Sequence, residues 1–229
     1  MKIKWGSIVV NGSGKLGGHV YAKNRGGHYV RTLARASNPQ TSAQQKTRSQ
    51  FTVLSQGWGS LTENQRSSWN DATNQFTRTD QFGDIRQLSG KNLYLSLNKE
   101  RAIIGLGPLL VAPEPAPISI CVVENVLFDI SQADINIQGS FIESAKYVVV
   151  ATERVTNGTS FVKNKLRIIY VGEGSSAGTF IPGAGQIYNS YVGKFGLPVD
   201  NDKVFIGAYS VNSSGQKSPI SKLAVIVRA

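Results

Sequence analysis

The chain has 229 residues, of which 40% are hydrophobic and 17% charged, with 24 glycines and a net charge of +11. This length suits one large domain or two small ones. The single cysteine, Cys121, excludes an intramolecular disulfide framework, and two histidines with one cysteine offer no zinc ligand set. No apolar run approaches the length of a membrane span, so no membrane partner is expected.

The charge is uneven. Residues 1–111 carry fifteen Lys/Arg against five Asp/Glu, residues 112–229 carry ten against nine, and the first acidic residue is Glu63. A long stretch of one sign seeks a polyanion or an acidic protein surface. The first ten residues hold only the short apolar run Ile8-Val9-Val10, too short for a signal segment, so synthesis in a cytosol is expected.

Residues 1–36 read as an extended basic β-arm. Ile8-Val9-Val10, His19–Ala22 and His28–Leu33 are short β-prone runs separated by glycines, the pattern of hairpins. Such a ribbon has little apolar surface of its own and needs something to pack against. Tyr21, Tyr29, Val30, Arg31 and Leu33 are the candidate subunit contacts. Lys15, Lys23, Arg25, Arg31 and Arg35 are the candidate polyanion contacts, with Tyr21 and Tyr29 interleaved for stacking on single strands.

Residues 37–105 read as a small helical region. Thr41-x-x-Gln44 is a capping-box signal, and Phe51, Leu54, Trp58 and Leu61 recur at helical spacing, with Gly57 and Gly59 marking where that helix weakens. Thr62-x-x-Gln65 repeats the signal ahead of Trp69, Ala72 and Phe76. Gln81–Leu88 reads as a loop. Ser89-Gly90 precedes a third helix with Leu93, Tyr94, Leu97 and Ile104 on one face. Phe51, Trp58, Trp69 and Leu93 are the expected core of this bundle. Read as a helix-turn-helix, with Gly57-Trp58-Gly59 as the turn, the second helix offers few base-reading side chains beyond Asn64, Gln65, Arg66 and Asn70.

Residues 106–117 include Pro108, Pro113, Pro115 and Pro117, which marks a stiff linker. Residues 118–229 read as strand after strand: Ile118–Val123, Leu127–Ile130, Ile135–Gln138, Tyr147–Thr152, Leu166–Val171, Ile187–Tyr191, Val204–Val211 and Leu223–Val227. Turn residues such as Asn157-Gly158, Gly172 to Gly178, Pro182-Gly183, Asn201-Asp202 and Ser213-Ser214-Gly215 separate them, which predicts a β-sandwich. Cys121 is expected to be a buried structural thiol.

The closing segment Val204–Pro219 resembles the final hairpin of fibronectin type III domains: an alternating strand, Asn212-x-x-Gly215, then Ser218-Pro219 and a last strand. The usual Tyr early in the penultimate strand is replaced by Val204, and no Trp follows Trp69. The expected fold class is therefore α+β: an extended β-hairpin arm and small helical region, then an immunoglobulin/fibronectin III-like sandwich.

The first half carries a second resemblance. Gly26-Gly27-His28-Tyr29-Val30-Arg31 is followed by Asn38-Pro39-Gln40-Thr41, Gln44-Gln45, Arg48, Phe51, Trp58, Leu61, Gln65-Arg66, Trp69 and Gly90-x-Asn92-Leu93-Tyr94. This order resembles an uncharacterised family of proteins of tailed bacteriophages and prophages. It implies a virion structural protein (capsid, head-tail connector or tail component), made in the bacterial host cytoplasm. The implied partners are other copies of itself and other virion proteins, and the basic arm residues Lys15, Lys23, Arg25, Arg31 and Arg35 add an expected nonspecific contact with packaged DNA.

No catalytic, cofactor-binding or metal residue emerges. Asn11–Gly18 looks like a phosphate loop but has Leu16 where the hydroxyl belongs and Val9 where the first glycine belongs. No Gly-x-Ser-x-Gly elbow is present. Asp200 and Asp202 read as a solvated turn, with too few oxygens for calcium. The chain is expected not to be an enzyme.

Overall fold

The structure, a computed structural model, describes residues 1–229 except 5, 7–10, 25, 35–36, 81, 119, 142–144, 175–178, 181–184 and 229. The expected strand Ile8-Val9-Val10, the Pro182-Gly183 turn and the candidates Arg25 and Arg35 lie outside the described residues. The fold is mixed helix and sheet, and its sheets are antiparallel.

The N-terminal sheet is formed by β1 (Gly14–Leu16), β2 (His19–Asn24) and β3 (Gly27–Thr32) in the order β1-β2-β3. Two helices follow, α1 (Ser42–Ser60) and α2 (Glu63–Ala72). Thr41 caps α1 by accepting from the Gln44 N–H. Thr62 and Gln65 form a complete capping box on α2, which fixes the turn at Leu61–Thr62. Gly57 and Gly59 do not end α1, which runs on to Ser60. The expected loop Gln81–Leu88 holds the second strand of a short hairpin, β5 (Ile85–Arg86), which pairs with β4 (Arg78–Thr79) just before it. Then Ser89 caps α3 (Gly90–Ile103).

The helical core is Leu61, Trp69, Leu93, Tyr94 and Leu97, with Trp58, Ala72 and Phe76 packed against it. Tyr94 stands edge-on to Trp69 at 5.3 Å and tilted to Trp58 at 5.5 Å. Phe51, expected in this core, is 58% exposed, because α1 parts from α3 beyond Trp58. The proline-rich stretch is tied to these helices. Trp69 Nε1 donates to Leu110 O at 3.0 Å, the Leu109 N–H donates to Asn98 Oδ1 at 2.6 Å, and the Ala112 N–H donates to Ser68 Oγ at 3.3 Å.

The second half builds two sheets. One has the order β10-β7-β6, from β6 (Val122–Asp129), β7 (Asp134–Ser140) and β10 (Thr179–Phe180). The other has the order β12-β11-β8-β9, from β8 (Lys146–Ala151), β9 (Arg167–Glu173), β11 (Lys203–Val211) and β12 (Ser221–Ile226). Val123, Phe128, Ile135 and Ile137 from the first share one core with Tyr147, Val149, Ile206 and Val225 from the second. The expected strands over 118–123 and 127–130 are in fact one strand beginning at Val122. A bulge between Val123 and Asn125 lets Val123 and Val126 both face inward despite their odd spacing. Gly139 sits where a Cβ would meet Val122 O at 1.9 Å, so only glycine fits opposite the bulge. β9 runs through Gly172 to Glu173, so the expected turn begins later.

The expected strand Ile187–Tyr191 is a helix, α4 (Gln186–Phe195). Ile187, Tyr188 and Tyr191 are buried, and Val192 and Phe195 pack on the same core, a helical rather than alternating spacing. Glycines with positive φ bracket it, Gly185 at 77° and Gly196 at 88°. Cys121 is buried as expected, and burial pushes its thiol up to about 12.

Both faces of β8 and β11 are covered. Tyr147, Val149, Ile206 and Ala208 face the core between the sheets. Val148, Val150, Tyr209 and Val211 face the end of α3 through Ile103 and Ile104. This double burial explains the unbroken apolar run Tyr147–Ala151, which alternation alone would not produce.

Candidate functional site

The N-terminal sheet is a three-stranded ribbon whose register decides which residues share a face. Directly paired residues share a face. The register pairs Leu16 with His19 and His19 with Thr32, and pairs Gly14 with Tyr21 and Tyr21 with Val30. Leu16, Tyr21 and Val30 therefore share one face with His19, Lys23, His28 and Thr32, and Leu16 is 69% exposed on the edge strand. On the other face Val20 lies between Lys15 and Arg31, and Ala22 pairs with Tyr29. Val20 itself is buried.

The structure thus divides the candidates. Tyr21 and Val30 come together on one face. Tyr29 and Arg31 belong to the opposite face, and Leu33 lies beyond β3, half exposed, with its N–H donating to Gly18 O at 2.8 Å. Of the polyanion candidates, Lys15 and Arg31 are neighbours across Val20, whereas Lys23 pairs with His28 on the Tyr21 face. All three are exposed.

One edge of this ribbon is occupied by the chain itself. Lys2 bridges Tyr29, the Val30 N–H donates to Met1 O at 2.7 Å, and the Ile3 N–H donates to His28 O at 3.1 Å. The other edge is β1, which pairs only with β2 among the described residues. An unpaired strand edge is a template for another strand.

The ribbon is anchored to the helical part by Asp80, a group that sequence reading passed over. Its carboxylate is 2% exposed and pairs with Arg86 Nε at 2.9 Å and Lys2 Nζ at 3.5 Å. It also accepts from the N–H groups of Phe82 at 2.8 Å and Asp84 at 3.2 Å. Burial alone would raise its pKa. The Phe82 N–H, Arg86, the Asp84 N–H and Lys2 outweigh that and hold it at about 2. Lys4 adds a pair with Asp84 at 2.9 Å and lies 5.3 Å from the Phe82 ring centroid. Gly26 lies so close to Arg86 that a Cβ would meet its Nη1 at 2.6 Å. The signal for this anchor is an Asp-x-x-x-Asp turn followed by arginine; its partner at position 2 is not legible from sequence.

His19 and His28 are in adjacent strands but not directly paired. Among the described residues, no three His, Cys, Asp or Glu side chains gather as a metal-binding group. Asp200 and Asp202 occupy the turn before β11, where Asp202 Oδ2 accepts from the Val199 N–H at 3.0 Å. No helix among the described residues is long and apolar enough to cross a membrane. Compared with protein-family models and with curated proteins, the chain matches none.

Proposed function

We propose that this protein is a structural component of a bacteriophage virion, a capsid, head-tail connector or tail component that works by repeated subunit contacts and not by catalysis. The observation that carries the reading is the edge of β1, which pairs only with β2 among the described residues and carries the exposed Leu16 on the same face as Tyr21 and Val30. A strand from a second copy, or from another virion protein, would extend that sheet. The series from Gly26 through Asn38-Pro39 to Trp58 and Trp69 supports the phage assignment by resemblance.

The same reading takes the second half as a fibronectin III-like sandwich. Three strands and four strands in antiparallel sheets that share one core support it. So does the Asn212–Gly215 turn, in which Asn212 Oδ1 accepts from the Ser214 and Gln216 N–H groups.

Light scattering of the purified protein at low and high salt, with and without DNA, tests the assembly role. Large oligomers that persist in high salt without DNA are expected; a monomer in every condition overturns the reading. The alternative, a nucleic-acid-binding arm, is favoured by the adjacency of Lys15 and Arg31 across Val20. It requires a mass shift only with DNA and only at low salt.

A further inference from the structure

α1 and α3 touch where Trp58 meets Tyr94, and toward the N-terminal end of α1 they part. The groove left between them has a volume of 450 Å³. Its floor is apolar, formed by Phe51 and Leu54 from α1 with Leu95 and Ala102 from α3. No residue of α1 is buried, although Phe51, Leu54 and Trp58 make a continuous apolar stripe along it. The stripe enters the core at Trp58, and its first half stands open.

The charge around the groove has one sign. No carboxylate lines it, Lys99 does, and its wall residue Ser96 accepts from Arg78 at 3.0 Å. α1 holds Lys46 and Arg48 and no acid. Among the described residues neither Lys46 nor Lys99 has a carboxylate partner. The one acid at this end of α3, Glu100, is buried on the far side against Lys217.

We propose that this groove docks an amphipathic helix of another protein, apolar along one face and carrying carboxylates along its flanks. Apolar side chains at successive turns would fill the space between Phe51 and Leu95, and flanking carboxylates would meet Lys99, which lines the groove, and Lys46, one position before the lining residue Thr47. A second copy fits poorly, because its α1 would bring Lys46 and Arg48 against Lys99. The remaining described helices offer no acidic apolar face, since α2 sets Arg66 between Glu63 and Asp71. The groove is separate from the β1 edge, so the proposal stands or falls apart from the assembly reading.

The test uses the full chain and a labelled model peptide of about four helical turns, with leucines at helical spacing and glutamates elsewhere. Its controls are the same peptide with lysines for glutamates, and a labelled DNA duplex. Saturable binding of the glutamate peptide is expected, weakened about tenfold or more by Phe51→Ser and by Lys99→Glu. Phe51 is already exposed, so circular dichroism of F51S is expected to match the parent. Equal binding of the lysine peptide overturns the proposal, as does binding unaffected by F51S and K99E, or no binding at all. DNA that binds and is lost in K99E while the glutamate peptide does not bind transfers the surface to nucleic acid and overturns it too. Concentration-dependent self-association lost in F51S, without peptide binding, assigns the groove to a second copy instead.

Discussion

Lys217 Nζ lies 2.8 Å from Glu100 Oε1 and joins the end of α3 to the turn after β11. Glu100 is buried, and the Tyr209 hydroxyl donates to its other oxygen at 3.4 Å. Burial, then the Glu100 charge, raise the Tyr209 pKa, which keeps the phenol protonated as a donor. Arg101 reaches the same turn, hydrogen-bonding Ser213 O, and its Nε donates to Gly107 O at 2.7 Å. The helical part is thereby fastened to the outer face of the four-stranded sheet. Lys217→Ala leaves a buried carboxylate with one weak donor, and the half-exposed lysine limits the loss. A decrease of about 1–2 kcal/mol in unfolding free energy is expected from urea denaturation.

Gly215 is the tightest point of that contact. Its φ is +79°, and a Cβ there would meet Leu97 O at 2.2 Å. Gly215→Ala must both strain the turn and push α3 away, at a cost of about 2 kcal/mol or more. Limited proteolysis is expected to show new cleavage between Gly107 and Pro117 in this variant and none in the parent.

Trp69 is fully buried, and its indole donates to Leu110 O. Trp69→Phe removes that donor and leaves a void in a small core. A loss of about 1–3 kcal/mol is expected by chemical denaturation.

Asp80 sets an acid limit on the ribbon's anchor. Its folded pKa, about 2, lies below the ordinary 3.8. Its contribution is therefore complete above about pH 4 and is lost as pH falls toward 2. Protection of the Val30 and Ile3 amides, taken relative to the intrinsic exchange rate at each pH, is expected to fall on acidification from pH 4 to pH 2. Asp80→Asn should show that lower protection already at pH 6 and a flatter pH dependence.

Lys15 and Arg31 separate the two readings of the arm. Charge reversal at both is expected to leave the high-salt oligomer mass unchanged, because Leu16, Tyr21 and Val30 lie on the opposite face. Under the nucleic-acid alternative, the salt dependence of DNA binding would fall by roughly one for each cation removed. Filter binding across a salt series reads it.

Local signals were legible where their causes are local. The capping box Thr62–Gln65 and the Ser89 cap start α2 and α3, because a hydroxyl four residues or fewer from an N–H needs no tertiary partner. The Asn212–Gly215 turn reads directly from side-chain-to-backbone bonds within one turn. Ile187–Tyr191 misled because a short apolar run has the same composition in a buried strand and a buried helix. Only the inward face at 187, 188, 191 and 195, closed by glycines at both ends, separates them.

By itself the sequence determined the charge asymmetry, the starts of α1, α2 and α3, the buried thiol and most strands of the second half, all of which follow from residue type and near neighbours. The tertiary structure alone decided that Phe51 faces a groove, that Lys2 finds Asp80, that Glu100 finds Lys217, and that Lys15 and Arg31 meet across Val20. Those pairings depend on how far α1 splays from α3 and on strand register, distances set by packing over the whole chain and carried by no single segment.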